Sequence, residues 1–386
     1  MRIAFVSMMG DVPWGGSEVL WAKTAARALA SGHEVFFSAY HWPEIPAPLL
    51  ALVEQGAHFY PRPRYRATLS ARLKIRLEQA MHTTSPEVAA IKNFNPELIV
   101  VNQGGGHDVL YRDDLCEFLL SGQYAYCLTC HLYQDPIKLS EHNRSLLVHL
   151  FEGARRVFTI SNQQAGVLQR QLAVPLLNNV VVQNPLNTPA EWPLPFPAIE
   201  KQLVRFAVVA SLDVDRKGQD TLFEALSSQK WMTRCWELNL YGEGPDKDYL
   251  QRLARYYRIQ DRVNFRGYVT DSSAIWSVNH VLVLSSRIES GPMVLPEAML
   301  SGRPVVATPV GMVSEWIQEG VTGFIAEASL PQALDAALEK CWNRQDHWNV
   351  IGEAAAIAAR QRIKADPVGD FLTLITSAET ATRTVH

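Results

Sequence analysis

The segment SSRIESGPMVLPE (285–297) carries two carboxylates, Glu289 and Glu297, with seven residues between them. A Gly-Pro turn interrupts it, and from about Met293 the pattern MVLPEAMLSG predicts a short helix closing at Gly302. Pro296 is compatible with that helix only because it falls in the first turn. The layout points the unpaired backbone N–H groups near Met293 and Val294 to the same place as Glu289, making an anion site suited to a phosphate. Glu297, one turn further in, can accept hydrogen bonds from a diol such as a ribose. The same spacing also describes two solvated glutamates at a strand-to-helix junction. Upstream, VVASLDVDRKGQDTLFEAL (208–226) reads as strand, loop and helix, with Arg216 and Lys217 before Gly218. A cation pair at a strand end can bind a diphosphate, each charge-assisted contact contributing about 1.5–3 kcal/mol; an exposed loop lysine would look the same. LYGEGPDKDYL (240–250) adds Gly242 and Gly244, a weak signal as an isolated Gly-x-Gly.

A different chemistry is suggested by CLTCH (127–131), where two cysteines and a histidine stand at the spacing used for covalent c-type haem attachment. The motif ends a predicted strand, 124–129. Side chains alternate along a strand, so Cys127 and Cys130 should point to opposite faces. That suits two small core residues and not two thioethers on one haem, and it leaves His131 just beyond a strand end. NQGGGHD (102–108) occupies the end of another predicted strand. His107 there is a candidate for contact with an acceptor substrate, or an ordinary loop histidine.

These segments need a scaffold that brings strand ends together. RIAFVSM is a short apolar run typical of a strand buried on both faces. The loop GDVPWGGSE follows, then a helical stretch from Ser17, a candidate N-cap, to a stop at Gly32, then the strand HEVFFSAY. That is one βαβ unit of a parallel sheet. Further strands are predicted at 97–102, 155–160 and 179–183. NPLNTPAEWPLPFP (184–197) is too rich in proline for a helix or central strand. Beyond it the alternation restarts, with strands at 205–210, 236–242, 262–267, 280–286, 303–308 and 323–326. The expected fold is α/β, two doubly wound domains in tandem: 1–185, a linker at 186–203, and 204–365. Ligands of such sheets sit beyond the carboxyl ends of the strands, here in a cleft between the domains.

Composition narrows the function classes. The 386 residues are 47% hydrophobic and 19% charged, with a formal net charge of −3, so the basic field of a general nucleic-acid binder is lacking. Five cysteines, an odd and sparse set, point to a reducing cytosol rather than a disulfide framework. The N-terminus lacks the pattern of a secretory signal, and no apolar run approaches the roughly 18–20 residues of a membrane helix. Residues 62–76, RPRYRATLSARLKIR, are locally basic, with Leu69, Leu73 and Leu77 on one helical stripe. They form either a solvated helix face packed on its leucines or a surface for an anionic membrane or acceptor.

Taken together, the motifs resemble the GT-B glycosyltransferases, in particular the retaining group called glycosyltransferase family 4. The likeness covers nearly the whole chain and is strongest from about 205 to 327. It implies that Glu289 contacts the transferred sugar, Glu297 the ribose, Gly291 and Pro292 the sugar, and Met293 and Val294 the diphosphate. Arg216 and Lys217 would neutralise that diphosphate, and the backbone at Tyr268 and Val269 would hold the base. Gly15-Gly16 resembles the family's first glycine-rich loop, close to the donor. A histidine commonly follows the family's corresponding N-terminal strand and meets the donor sugar; His131 stands there. The last helix, 366–380, would cross back onto the first domain. The implied reaction moves a sugar, with retention, from a UDP- or GDP-linked donor to a hydroxyl of a glycan, lipid or small molecule, in the cytoplasm or at the inner face of a membrane, without a metal or other cofactor. The chain departs from the family at Ser211, where arginine is frequent, at Ser290, and at Met312, which replaces a glycine. A sugar phosphorylase, a nucleotide-sugar epimerase or a non-catalytic sugar-nucleotide binder would share the fold, and a c-type haem protein is the rival from another class.

Overall fold

The computed structural model describes residues 1–10, 12–63, 85–133, 137–186 and 193–377. The chain divides into two units, Met1–Pro185 with Ala365–His386, and Leu186–Lys364.

The first unit is built on a seven-stranded sheet: β1 (Arg2–Ser7), β2 (Glu34–Tyr40), β3 (His58–Arg62), β4 (Leu98–Gln103), β5 (Tyr126–Cys130), β6 (Arg156–Thr159) and β7 (Asn179–Val181). The order is β3-β2-β1-β4-β5-β6-β7, and every pairing is parallel. Both faces are covered, which is why the strands read as continuous apolar runs. Ile3 and Phe5 of β1 enter one apolar cluster with Leu20 and Trp21, while Ala4 and Val6 enter another with Leu128 and Leu147. The sequence pattern missed β3. It is a sheet edge that pairs only with β2 and contains Pro61, and proline is tolerated on an edge where one side of the ladder is free.

The helix after β1 spans Gly16–Ala30, and its N-cap is Gly15, not Ser17. Ser17 lies one residue inside the helix, its hydroxyl buried and unpartnered. The C-terminal stop is at Gly32, with φ +80°. The helix Pro367–Thr376 belongs to this unit. Phe371 and Ile375 join the cluster of Phe5 and Trp21, Phe371 meets Phe158 edge-on at 4.8 Å, and Asp366 pairs with Arg27 at 3.0 Å.

The second unit repeats the plan with β8 (Val204–Val209), β9 (Trp236–Tyr241), β10 (Val263–Gly267), β11 (Val281–Leu284), β12 (Val305–Ala307) and β13 (Gly323–Ile325). The order is β10-β9-β8-β11-β12-β13, again all parallel. In both sheets the winding direction reverses between the first and fourth strands, β1/β4 and β8/β11. Such switch points open a crevice outside the strands' carboxyl ends. The described residues of the proline-rich stretch pack on this unit: the buried guanidinium of Arg303 donates to the carbonyls of Leu194 (3.4 Å), Pro195 (2.8 Å) and Trp276 (2.9 and 2.6 Å). Its hydrogen bonds among the described residues go to carbonyl oxygens, it lies over the Phe196 ring at 5.2 Å, and burial lowers its pKa to about 10.

One close approach within this unit is steric. Gly352, in the helix Trp348–Arg362, lies so near Gly302 that a Cβ on it would stand 2.0 Å from the Gly302 carbonyl oxygen. Gly352→Ala should force the helices Val294–Leu300 and Trp348–Arg362 apart and cost about 1–3 kcal/mol, read as a lower midpoint in thermal or urea unfolding. An unchanged midpoint would contradict the packing.

Candidate active site

In the second unit the switch-point loops are built around Lys217 and Glu289. Asp213 caps the one-turn helix Val214–Lys217 by accepting from the Arg216 N–H at 3.3 Å, and Gly218 ends it with φ +60°. A Cβ on Gly218 would lie 2.3 Å from the Ser285 carbonyl oxygen, so glycine is required here for both torsion and space. The loop after β11 is locked onto that turn. The Ser285 hydroxyl donates to the Lys217 carbonyl (2.9 Å), and the Arg287 and Ile288 N–H groups donate to the Arg216 carbonyl (2.8 and 3.2 Å). Lys217 Nζ thereby meets Glu289 Oε1 at 2.5 Å, and the Ser286 hydroxyl donates to the same oxygen at 3.1 Å. Both side chains are largely but not fully enclosed, 20% and 12% exposed. Two groups separated by 72 positions in sequence thus share one proton-rich contact at the sheet's carboxyl edge.

The other predicted residues of this unit fall around that pair. The helix begins at Val294, with Met293 as its cap residue, and runs only to Leu300. The main chain at Glu289 and Ser290 is held against Gly311, where a Cβ would come within 2.4 Å of the Ser290 carbonyl oxygen, and the Met312 N–H donates to that carbonyl (2.9 Å). Met312 buries its side chain among Leu295, Val310 and Val313. Burial raises the Glu297 carboxyl to about 7. Gly291 and Pro292 lie on the loop between. Tyr268 is exposed, and Val269 packs against the apolar cluster below it. Arg216 turns to Asp213, Nε to Oδ2 at 2.7 Å, so its charge is partnered.

Two findings go beyond the sequence motifs here. Gly242 and Gly244 have a packing role. Cβ atoms on them would lie 2.0 Å from the Ala210 carbonyl oxygen and 2.3 Å from that of Leu212, so they permit the loop after β9 to press on the loop after β8. Arg287, which no spacing singled out, forms a bidentate pair with Asp220 (2.8 and 2.8 Å) and donates to Thr221 Oγ1 (2.7 Å) and the Val214 carbonyl. It ties the Lys217 turn to the helix Gln219–Leu226.

In the first unit, His131 follows β5, and its Nε2 lies 2.8 Å from Asn102 Oδ1 at the end of β4. Asn102 Nδ2 donates to Glu18 Oε1 (3.1 Å) and the Ser17 carbonyl (3.2 Å), and the Ser7 hydroxyl donates to Glu18 Oε2 (2.8 Å). All four polar residues are buried. Burial lowers the His131 imidazole to about 4 and raises the Glu18 carboxyl to about 7. Of these four residues only His131 was marked by a sequence motif. Glu18 was legible as an acid directly after Gly-Gly-Ser in a helix's first turn, and Asn102 as the polar end of an apolar strand. Gly15 is extended (φ −156°, ψ 176°), a conformation open to any residue, and Gly16 opens the helix. His107 is 7% exposed and its Nε2 is buried without a partner.

The haem alternative fails on geometry. Cys127 lies in the cluster with Ile3 and Phe5, and Cys130 in the cluster with Ala4 and Val6, on opposite faces of the sheet. Burial raises both thiols, Cys127 to about 11. The basic stretch also loses its first member: Arg62 is buried, pairs with Glu87 at 3.3 Å and lies over the Tyr40 ring at 4.3 Å. Its residues 64–76 lie outside the described residues. Among the described residues no helix is long and apolar enough to cross a membrane.

Comparison with known proteins fits this geometry. Residues 204–344, which contain Lys217, Glu289 and Glu297, match the family model described as glycosyl transferases group 1. The second unit is a group 1 glycosyltransferase domain. The N-acetyl-alpha-D-glucosaminyl L-malate synthase of Bacillus anthracis is 30% identical over 133 residues, 34% of this chain and 35% of that protein. The alpha-D-kanosaminyltransferase of Streptomyces kanamyceticus is 26% identical over 158 residues, 40% of this chain and 41% of that one. The matched stretch is thus well under half of either curated relative. The whole fold is more widely shared: the Anabaena protein HepE, solved with UDP and glucose, superposes with a TM-score of 0.71 over 98% of this chain and 100% of its own at 19% identity. The fold is GT-B.

The Glu297 environment has a measurable consequence for the group 1 domain. Its folded carboxyl keeps a proton up to about 7, against an ordinary value of 4.5. The stability contributed by this group is therefore complete below the ordinary value and is lost as pH rises through 7. Glu297→Gln removes that dependence. Thermal unfolding across pH should show the variant gaining on the wild type between about pH 5 and pH 8; parallel curves would show that Glu297 is solvated.

Proposed function

We propose that the protein is a retaining glycosyltransferase that moves a sugar from a nucleoside diphosphate to an acceptor hydroxyl. The observation that carries this is the Lys217–Glu289 contact at the switch point of a domain matched by the group 1 family. The acceptor oxygen bonds to the anomeric carbon as the bond from that carbon to the phosphate oxygen breaks. The electron pair leaves with the nucleoside diphosphate, whose oxygen takes the acceptor's proton on the same face of the sugar. Lys217, joined by Arg216 once released from Asp213, neutralises the leaving diphosphate, with the N–H groups at Met293 and Val294 adding to that field. Glu289, held in place by Ser286 and Lys217, accepts from the sugar's hydroxyls, with Gly291 and Pro292 alongside. Glu297 takes the ribose diol, and the backbone at Tyr268 and Val269 takes the base. In the first unit, Gly15 and Gly16 approach the donor, His131 orients the transferred sugar, and His107 serves the acceptor. Cationic side chains do the work that a metal does elsewhere. The UDP and glucose bound by HepE support a UDP-type donor; the acceptor belongs to the glycans, lipids or small-molecule glycosides.

A panel of UDP- and GDP-sugars, read by thermal shift and nucleotide release, tests this. One donor should stabilise the protein and turn over in the presence of EDTA. Glu289→Ala and Lys217→Ala should each lower turnover by on the order of 10²–10³-fold. His131→Ala should lower turnover far more than the melting midpoint. If no nucleotide sugar stabilises the wild type or is consumed, the proposal fails.

A further inference from the structure

The first unit holds a buried polar chain that ends on an unused lone pair. Asn102 Nδ2 faces two acceptors, the Ser17 carbonyl at 3.2 Å and Glu18 Oε1 at 3.1 Å, and this settles which way its amide points. Oδ1 is then the atom 2.8 Å from His131 Nε2, so the imidazole must donate there. A neutral ring carrying its proton on Nε2 has a bare Nδ1, and that atom is buried with no partner. Ser7 and the backbone complete the frame: the Ser7 hydroxyl donates to Glu18 Oε2 at 2.8 Å, the Met8 N–H donates to the Asn102 carbonyl at 2.8 Å, and the His131 N–H donates to the Gln103 carbonyl at 3.2 Å. Arg62 donates to the Ser7 carbonyl from below.

We propose that Glu18 is a positioning residue: through Asn102 it holds His131 in the Nε2–H tautomer, which leaves Nδ1 as a bare acceptor nitrogen. A bare ring nitrogen takes a hydroxyl or an N–H. It repels a carboxylate or phosphate, whose oxygens bring only lone pairs. Nδ1 has almost no exposed surface here, so it favours an uncharged, hydroxyl-bearing part of the substrate over an anion only once the side chains covering it give way. That selectivity rests on the transferase reading above, whereas the tautomer assignment does not. Glu18 holds Asn102 whether or not it is protonated, because Oε1 accepts in both states. Without residue 18 as an acceptor, one Asn102 N–H is buried with no partner and only the Ser17 carbonyl still orients the amide, so the lock is weakened.

Nitrogen-15 NMR of the imidazole side chains of the full-length protein tests the assignment without any substrate. The wild type should show His131 as a single Nε2–H tautomer. Glu18→Leu should mix the tautomers, and Glu18→Gln, which keeps an acceptor oxygen for Asn102, should restore the single form. If Glu18→Leu does not fold, Asn102→Asp provides the second measurement: a carboxylate facing Nε2 should raise the pH at which His131 titrates. Where a donor is turned over, Glu18→Leu should lower kcat roughly tenfold or more with little change in KM, and Glu18→Gln should recover it. A single Nε2–H tautomer in Glu18→Leu, or an unmoved His131 titration in Asn102→Asp, would overturn the proposal. Mixed tautomers in Glu18→Leu, in a protein that consumes no nucleotide sugar, would uphold the positioning and remove the transferase reading instead.

Discussion

A parallel sheet covered on both faces makes an unpaired polar side chain along its strands costly, because such a group loses water and gains nothing in return. Chemistry is therefore pushed to where the strands stop. Both units largely follow this constraint; the buried, unpartnered hydroxyls of Ser38, Thr129 and Thr159 in β2, β5 and β6 are exceptions. Their strands are almost wholly apolar, and the residues able to do chemistry follow the carboxyl ends of β1, β4 and β5 in one and of β8 and β11 in the other. The reversal of winding between the first and fourth strands then sends successive loops to opposite sides and leaves a crevice at those ends.

Within that constraint the two units use different electrostatics. The second keeps full charges, Lys217 against Glu289 and Arg287 against Asp220, at partial exposure where pairing offsets much of the desolvation. The first removes charge from its buried array. Burial drives the His131 imidazole toward neutrality and the Glu18 carboxyl toward protonation, and hydrogen bonds to Asn102 and Ser7 satisfy what is left. The charged arrangement of the second unit is of the kind that suits an anion such as a diphosphate, which needs countercharge. The neutral array of the first unit is of the kind that suits hydroxyl groups, which need oriented donors and acceptors.

Glycine has two distinct uses in the second unit. Gly218 and Gly311 have positive φ and sit where a Cβ would strike backbone oxygens of the loop carrying Glu289. Gly242 and Gly244 serve the approach of one strand-end loop to another. From the sequence the residue type is the same at all four. What separates them is the identity of the atom each would collide with.

Much was legible in the chain itself. Apolar runs of four to seven residues, spaced by helical patterns, were enough for two tandem parallel sheets, since few other arrangements bury such strands on both faces. The pair Glu289 and Glu297, with Lys217 before a glycine, marked the second unit's site because their spacing is local and their flanking turns are specified by Gly and Pro. Alternation along β5 was enough to separate Cys127 from Cys130. The edge strand β3 was hidden by its proline. The partners of His131 were hidden for a different reason: Ser7, Glu18 and Asn102 come from three strand or helix ends scattered over more than ninety positions, and each alone is an ordinary polar residue. Only the folding of β1, β4 and β5 side by side brings them into hydrogen-bond contact, because strand order in a doubly wound sheet is set by how the whole chain packs and not by any local stretch of it.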